Sequence, residues 1–294
     1  MTPEARSGHV AMLAFSMLVA GSFALGVLAA NDITPLALNT VRFWIAAAII
    51  GALVLMRGGV PRAALDAPWR YVVLASIFTF YFVMMFEGLK TAPSVSAAAV
   101  FTLTPVMAAG FGWLLLGQRM HRRIKLALAI GAIGALWVIF RADVAALLRF
   151  EVGRGEMIYF IGCVSHALYT PLVRKLNRGE SALVFAFGTL LTGAVILTLV
   201  GWSDLSSTDW AHLPSVVWLT ILYTAVFASA ATVTLLQFSA MRLPAAKVMA
   251  YTYLVPSWVI IWSIALGAQM PPLAVLGGVA LTIIALVLLL RDEG

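Results

Sequence analysis

Two stretches of the chain, APSVSAAAVFTLTPV at residues 92–106 and LPAAKVMAYTYLVPS at residues 243–257, align without a gap. Their prolines coincide at one constant offset: Pro93 and Pro105 fall on Pro244 and Pro256. Each stretch leads into a similar turn, LLGQ at residues 115–118 and ALGAQ at residues 265–269. Repetition at this separation predicts a chain built from two related halves.

The likeness weakens away from these prolines but continues in both directions. SFAL at residues 22–25 matches SHAL at residues 165–168, and each half ends in a long aliphatic segment closed by Arg141 or Arg291. The repeat therefore covers nearly the whole chain.

The composition indicates a membrane protein, because 63% of the 294 residues are hydrophobic, only 11% are charged and the mean hydropathy is +1.02. A bilayer core about 30 Å thick requires about 20 apolar residues for each helical span. Segments of this kind predict ten spans, numbered one to ten in chain order: 9–29, 36–56, 70–89, 93–115, 124–141, 156–174, 181–201, 214–240, 244–266 and 272–290.

Five spans in each half is an odd number, so the second half must cross the membrane upside down relative to the first. We predict an all-α integral membrane protein of ten transmembrane helices in two inverted five-helix repeats, residues 1–142 and 156–294. Residues 143–155 predict an amphipathic linker helix on the periplasmic surface. Inverted repeats are typical of alternating-access transporters with a site near the midplane; a duplicated membrane protein without transport activity is the alternative.

The basic residues predict the orientation. If the N-terminus is cytoplasmic, the connectors on that side hold fourteen Lys and Arg residues and the opposite connectors hold four. Basic residues favour the cytoplasmic side, so we predict a multi-pass protein of the bacterial inner membrane with both termini in the cytoplasm. The net charge of +7 is spread over short connectors and predicts no nucleic-acid partner.

Motifs for other classes of function are absent from the sequence. There is no G-x-S-x-G, H-E-x-x-H, phosphate-binding loop or cysteine pair, so we predict no catalytic residues, no metal site and no cofactor. The single cysteine, Cys163, lies in an apolar run. Without an ATP motif, transport must be passive or driven by an ion gradient, which leaves a facilitator and an antiporter both open.

Helical spacing gives the candidate binding residues. In span nine, Lys247, Tyr251 and Trp258 share one face, where a cation could meet a substrate carboxylate and rings could stack on an apolar side chain. The alternative is a lysine that extends to the interface and rings that form an aromatic belt.

His166 is the only histidine deep in a predicted span, so it is a candidate for substrate binding or proton coupling. A neutral imidazole bonded to a neighbouring helix is the alternative. The other candidates lie on spans expected to face inward, although each of them alone could be ordinary packing: Ser22, Phe78, Tyr81, Tyr169, Tyr223 and Gln237.

Arg42 and the four prolines complete the set. Arg42 lies near the outer end of span two, and we expect it to extend outward or to pair with Asp32 as a structural anchor. The prolines are candidate hinges, because a missing amide donor permits a helix to bend: Pro93, Pro105, Pro244 and Pro256.

Ten spans, two five-helix repeats and the paired prolines followed by Gly117-Gln118 or Ala268-Gln269 resemble the drug/metabolite transporter superfamily, EamA type. The chain departs from the acidic Gly-Glu version of this turn. The resemblance implies a central cavity lined mainly by spans one, three, four, six, eight and nine, with spans five and ten peripheral. Within the superfamily, the aromatic-rich spans are most similar to the YddG-type exporters of aromatic amino acids.

The predicted function is export of aromatic and other neutral amino acids, such as phenylalanine, methionine and threonine, by alternating access. The alternative is a proton-coupled exporter of cationic drugs or other small metabolites, which would favour a carboxylate within the membrane. Glu87 and Glu156 lie near span ends in the sequence. The expected partners are the lipid bilayer and a small-molecule substrate, and two fused repeats are sufficient as a monomer.

Overall fold

The protein is described here by a computed structural model that covers residues 3–119, 121–148 and 152–290, and these residues form helices and no β-strand. The ten long helices are α1 (Pro3–Ala29), α2 (Pro35–Met56), α3 (Trp69–Leu89), α4 (Ser94–Leu116), α5 (Arg122–Ile139), α6 (Arg154–Leu176), α7 (Ala182–Val200), α8 (Ser215–Ala240), α9 (Ala245–Ala265) and α10 (Leu273–Leu290). Three short helices lie in connections: Arg62–Leu65, Val144–Leu148 and Trp202–Ser207. The prediction of ten helical spans is confirmed.

Eight of these helices are long and apolar enough to cross a membrane, and α5 and α6 are the two that fall short by composition. Helix α5 begins with a basic turn containing Arg122, Arg123 and Lys125. Helix α6 carries charges at both ends, and its middle is buried against α3 and α4. A helix surrounded by protein needs fewer apolar residues than one that faces lipid.

The two proline stretches form interrupted helices. Helix α4 breaks between Phe101 and Thr104, and α9 passes through a tight 3-10 turn at Tyr251–Leu254. Pro105 and Pro256 lie in the first turn of the segment after each break, where a missing N–H costs nothing. Pro93 and Pro244 immediately precede α4 and α9 in extended backbone conformations.

The turns after α4 and α9 are also related. Gly117 and Gly267 both have positive φ, 64° and 89°, a conformation that glycine adopts without a steric penalty. The Oε1 atom of Gln118 accepts a hydrogen bond from the backbone N–H of Ala245 at 3.1 Å, so the turn of the first half caps the first helix segment of α9.

Helices α4 and α9 cross in antiparallel directions. The hydroxyl of Ser94 at the start of α4 lies 3.3 Å from that of Ser263 near the end of α9, and the hydroxyls of Thr104 and Thr252 at the two breaks are also 3.3 Å apart. Helices α5 and α10 also run antiparallel, with Gly134 packed against Gly278.

The remaining long helices also pair across the two halves. Helix α3 runs antiparallel to α6, as shown by hydrogen bonds from Ser165 to the carbonyl of Ile77 and from Arg70 to the carbonyl of Leu176. Helix α1 runs antiparallel to α8, and α2 packs on α7.

The pairing has the symmetry of an inverted repeat. The first helix of each half pairs with the third helix of the other (α1 with α8, α6 with α3), and the second, fourth and fifth helices pair with their own counterparts. A two-fold axis in the membrane plane produces this arrangement. Large apolar side chains such as Leu55, Trp113 and Leu199 are exposed on the outside of the bundle, as expected of a surface that faces lipid.

The linker between the halves contains the helix Val144–Leu148, and α6 begins at Arg154, inside the predicted linker. Residues 149–151, including Arg149, lie outside the described residues, as does Arg291. The domain boundaries, the amphipathic surface helix and the side of the membrane that it occupies therefore stay predictions.

Candidate functional site

A cluster of seven rings lies between the two halves, and we call it the aromatic cluster. Each of its members is at most 2% exposed. They come from α3, α4 and α6: Phe78, Tyr81, Phe82, Phe101, Tyr159, His166 and Tyr169. The cluster thus joins two helices of the first half to the first helix of the second half.

His166 lies among the other rings of the cluster. Its imidazole is 4.3 Å from the ring centre of Tyr81 and 5.3 Å from that of Phe101. Phe78 stacks on Tyr169 at 4.5 Å. Offset and edge-on contacts between rings at these distances are favourable. An aromatic ligand could take the place of one ring in such a pair.

Hydrogen bonds connect the polar edges of the cluster. The hydroxyls of Tyr81 and Tyr159 are 3.0 Å apart. The Nε2 atom of Gln237 on α8 donates to the hydroxyl of Tyr169 at 2.8 Å and to Thr189 of α7 at 3.3 Å. Helices α7 and α8 therefore reach the site through polar side chains.

Three buried polar atoms near this region have no hydrogen-bond partner within the described part of the chain. They are the Nδ1 atom of His166, the Oε1 atom of Gln237 and the hydroxyl of Ser22 on α1. A buried polar atom without a partner costs about 1–3 kcal/mol. A bound ligand or water that supplied the missing hydrogen bonds would remove this cost.

The predicted residues Tyr223, Tyr251 and Trp258 contact α1 instead. The hydroxyl of Tyr223 donates to the carbonyl of Leu18 at 2.9 Å, and Trp258 donates from Nε1 to Ser16 at 3.3 Å. The hydroxyl of Tyr251 lies 3.1 Å from Nδ1 of His9. The predicted stripe of α9 thus faces α1, and these contacts do not include the aromatic cluster.

An open cleft of about 820 Å³ lies between the halves at the end of the molecule where α2 ends and α7 begins. Its walls include Val54 of α2, Leu183 of α7 and Phe238 of α8. Among the described residues, no group of three or more His, Cys, Asp or Glu side chains could hold a metal ion.

Comparison with known proteins assigns the family. The EamA-like transporter family matches residues 6–140 and 153–291, one match for each half. The chain belongs to this family. A similar protein, the uncharacterized transporter YyaM of Bacillus subtilis (strain 168), is 26% identical over 273 residues, covering 92% of this chain and 90% of that protein.

A solved crystal structure shares the fold of this EamA-like transporter. It superposes with a TM-score of 0.75 at 20% identity, over 98% of this chain and 99% of the other. The EamA-like chain is therefore a multi-pass membrane transporter of the drug/metabolite transporter superfamily.

Lys247 of this EamA-like transporter lies in the first segment of α9 and is half-buried, while Ala246 and Val248 on either side of it are buried. Its role as the partner of a substrate carboxylate stays a prediction.

The expected outward extension of Arg42, or its pairing with Asp32, was wrong. Its side chain is 0% exposed, and it donates to Ser229 at 2.6 Å and to the carbonyl of Ala228 at 2.7 Å on α8, whereas Asp32 is exposed. The sequence could not reveal this contact, because it depends on a π-helical segment of α8, Val226–Ala231, that leaves no periodic signal.

Glu156 lies near the start of its span, as the sequence indicated, but its side chain is buried. Because α6 begins at Arg154, Glu156 lies within its first turn, is only 4% exposed and accepts a hydrogen bond from Ser96 of α4 at 2.7 Å. It borders an apolar cavity of about 470 Å³ between α4, α5 and α6. The position of Glu156 near the end of its span did not indicate this burial.

Proposed function

We propose that this EamA-like transporter exports aromatic and other neutral amino acids, including phenylalanine, methionine and threonine. The observation that carries the proposal is the aromatic cluster between the halves, with the unpartnered Nδ1 atom of His166 at its centre. The resemblance to the YddG-type exporters leads us to expect an aromatic binding site of this kind.

The cluster matches both parts of such a substrate. Ring faces of Phe78, Tyr81 and Phe101 suit an aromatic or thioether side chain, and the free polar atoms of His166 and Gln237 can accept hydrogen bonds from the ammonium group. A site built from apolar walls with few convergent polar groups is typical of small-molecule binding.

Alternating access requires the rings to separate, because in this conformation they fill the space between the halves. We propose that α4 and α9 bend at their breaks, with Pro93, Pro105, Pro244 and Pro256 as hinges. The cleft between α2, α7 and α8 is the proposed mouth of the pathway on one side. One chain contains both halves, so a monomer is sufficient.

Binding of radiolabelled phenylalanine to the purified protein in lipid nanodiscs tests the proposal. We expect saturable binding that unlabelled phenylalanine, methionine and threonine displace and that arginine and aspartate do not. Displacement by arginine as effective as that by phenylalanine, or no saturable binding, would count against a neutral amino-acid site.

Glu156 supports a second candidate function, proton-coupled export of lipophilic cations. A buried carboxylate next to an apolar cavity of about 470 Å³ can pair with an organic cation and exchange it for a proton. The wall of this cavity is provided by Val100, Leu136 and Met157.

Efflux of tetraphenylphosphonium from proteoliposomes distinguishes the two candidates. The second function predicts efflux that requires an inward proton gradient and is lost in Glu156→Gln. Efflux that is independent of the gradient, or equal in Glu156→Gln and wild type, would rule out this carboxylate as the coupling group.

A further inference from the structure

Arg42 is a cation held inside the protein by neutral groups. Its Nε donates to the hydroxyl of Ser229 at 2.6 Å, Nη2 donates to the carbonyl of Ala228 at 2.7 Å, and Nη1 donates to Oδ1 of Asn39 at 3.3 Å. The guanidinium also lies 3.8 Å above the ring centre of Phe82. No carboxylate in the described ranges forms an ion pair with it.

A fully buried charge without an opposite charge is costly, by several kcal/mol even after the protein relaxes around it. Neutral hydrogen bonds and a ring face reduce this cost but do not neutralise the charge. Ionisable groups within membrane spans are typically part of a substrate or ion pathway.

The contact depends on an irregular part of α8. Ala228 and Ser229, which both accept hydrogen bonds from Arg42, lie in the π-helical segment Val226–Ala231. Single π-helical turns occur frequently at functional sites. The amide of Asn39 is fixed by its own donation to the carbonyls of Pro35 and Phe82, so its oxygen points to the guanidinium.

The fold itself does not require a cation at this position. Arg42 is the eighth residue of α2, and the eighth residue of α7, the symmetry-related helix, is Thr189. Thr189 also contacts the site, through Gln237, but it is neutral. The charge therefore breaks the symmetry of the two halves.

Arg42 adjoins the aromatic cluster. Phe82, whose face it covers, packs edge-on against Phe78 at 4.8 Å and lies 4.7 Å from the ring of Tyr81. Both of these rings contact His166. A ligand seated among the rings would be separated from the guanidinium by one side chain.

We propose that Arg42 is the residue that binds the carboxylate of the substrate. Three of its five N–H groups have acceptors in the described chain, which leaves one N–H on each terminal nitrogen. A carboxylate can accept from both terminal nitrogens at once, which is the strong bidentate geometry of arginine. When the rings separate, the carboxylate takes these two donors and neutralises the buried charge.

This inference rests on the proposed function and specifies the ligand group that it recognises. Binding of three probes to the nanodisc-embedded protein tests it: phenylalanine, phenylpropionate, which lacks the ammonium group, and phenethylamine, which lacks the carboxylate. In Arg42→Gln we expect the affinity for phenylalanine and phenylpropionate to fall at least about tenfold, and the affinity for phenethylamine to be unchanged. Arg62→Gln, which removes an exposed cation, is the control and should bind all three as the wild type does.

Arg42→Lys provides the test if Arg42→Gln does not fold, because it keeps the charge and loses the bidentate fork. We expect the affinity for phenylalanine and phenylpropionate to fall selectively, by less than in Arg42→Gln. Equal weakening of all three probes in a folded variant, or a carboxylate-selective loss in Lys247→Gln but not at Arg42, would overturn the inference. If the wild type binds phenylpropionate but no amino acid, the proposed substrate fails while the carboxylate role of Arg42 survives.

Discussion

His166 combines a ring environment with a polar atom that has no partner, and replacing it separates these two properties. His166→Phe keeps an aromatic ring of similar size and removes both nitrogens. We expect the protein to fold and its affinity for phenylalanine to fall about tenfold, equal to about 1.4 kcal/mol, because a buried hydrogen bond to the ligand is lost.

The measurement is phenylalanine binding and flux at several pH values around neutrality. His212→Gln, which alters an exposed histidine paired with Asp209, is the matched control and should behave as wild type. Normal affinity and flux of His166→Phe at every pH would reduce His166 to a packing residue.

Arg70 and Glu180 form a buried ion pair that gives stability a pH dependence. Their Nη2 and Oε1 atoms are 2.6 Å apart, and the side chains are 1% and 5% exposed. Burial acts to raise the pKa of the Glu180 carboxyl, but hydrogen bonds from Arg70 and the backbone lower it by more, so its pKa lies below the usual value. A depressed pKa stabilises the folded state above the ordinary carboxylate pKa of about 4.3, and this contribution is lost as the pH falls through the native pKa.

Glu180→Gln should therefore lower the free energy of unfolding by about 1–3 kcal/mol at neutral pH. The difference from wild type should shrink as the pH falls below about 4. Thermal unfolding in detergent over this range is the measurement. Glu87→Gln, which breaks the partly exposed pair with Lys90, is the control and should cost less than about 1 kcal/mol. A difference for Glu180→Gln that does not vary with pH would contradict the assigned pKa.

The sequence predicted a part of the site at the residue scale. Phe78, Tyr81, His166, Tyr169 and Gln237 were candidates because they lie on spans expected to face inward, and the structure brings these five together. The sequence could not identify Phe101, Thr189 or the partners of Arg42, because these contacts join different helices and local periodicity contains no information about them.

Helices α5 and α10 depend on glycine for their close approach. A Cβ atom on Gly278 would lie 2.7 Å from the carbonyl oxygen of Gly134, whereas one on Gly277 would meet nothing within 4 Å. Gly278→Ala should cost about 1–3 kcal/mol because the helices must separate. Gly277→Ala should be neutral or stabilise by up to about 1 kcal/mol. Melting temperatures of the two variants in detergent decide the matter, and equal values would contradict the packing described here.

The elements themselves were largely predictable. Apolar runs gave the ten helices, and Pro105 and Pro256 marked the two interrupted ones. The π-helical segment Val226–Ala231 was not predictable, because its sequence VFASAA is compatible with an ordinary α-helix. Arg42 of another helix donates a hydrogen bond to the carbonyl of Ala228 within this segment.

The orientation of the whole molecule is predicted by its basic connectors and can be tested by labelling. In a background with Cys163→Ala, which removes the only cysteine, single cysteines are introduced as Arg62→Cys and Asp209→Cys. A membrane-impermeant maleimide added to intact cells should label the variant at position 209 and reach position 62 only after lysis. The reverse pattern would place both termini outside.

The central claim is that the two halves form a pathway for neutral amino acids. Uptake of radiolabelled phenylalanine into proteoliposomes, compared with protein-free liposomes and without an imposed ion gradient, tests it most directly. We predict saturable uptake that exceeds the protein-free control and is reduced in His166→Phe. Uptake no greater than in protein-free liposomes, with or without a proton gradient, would contradict the account.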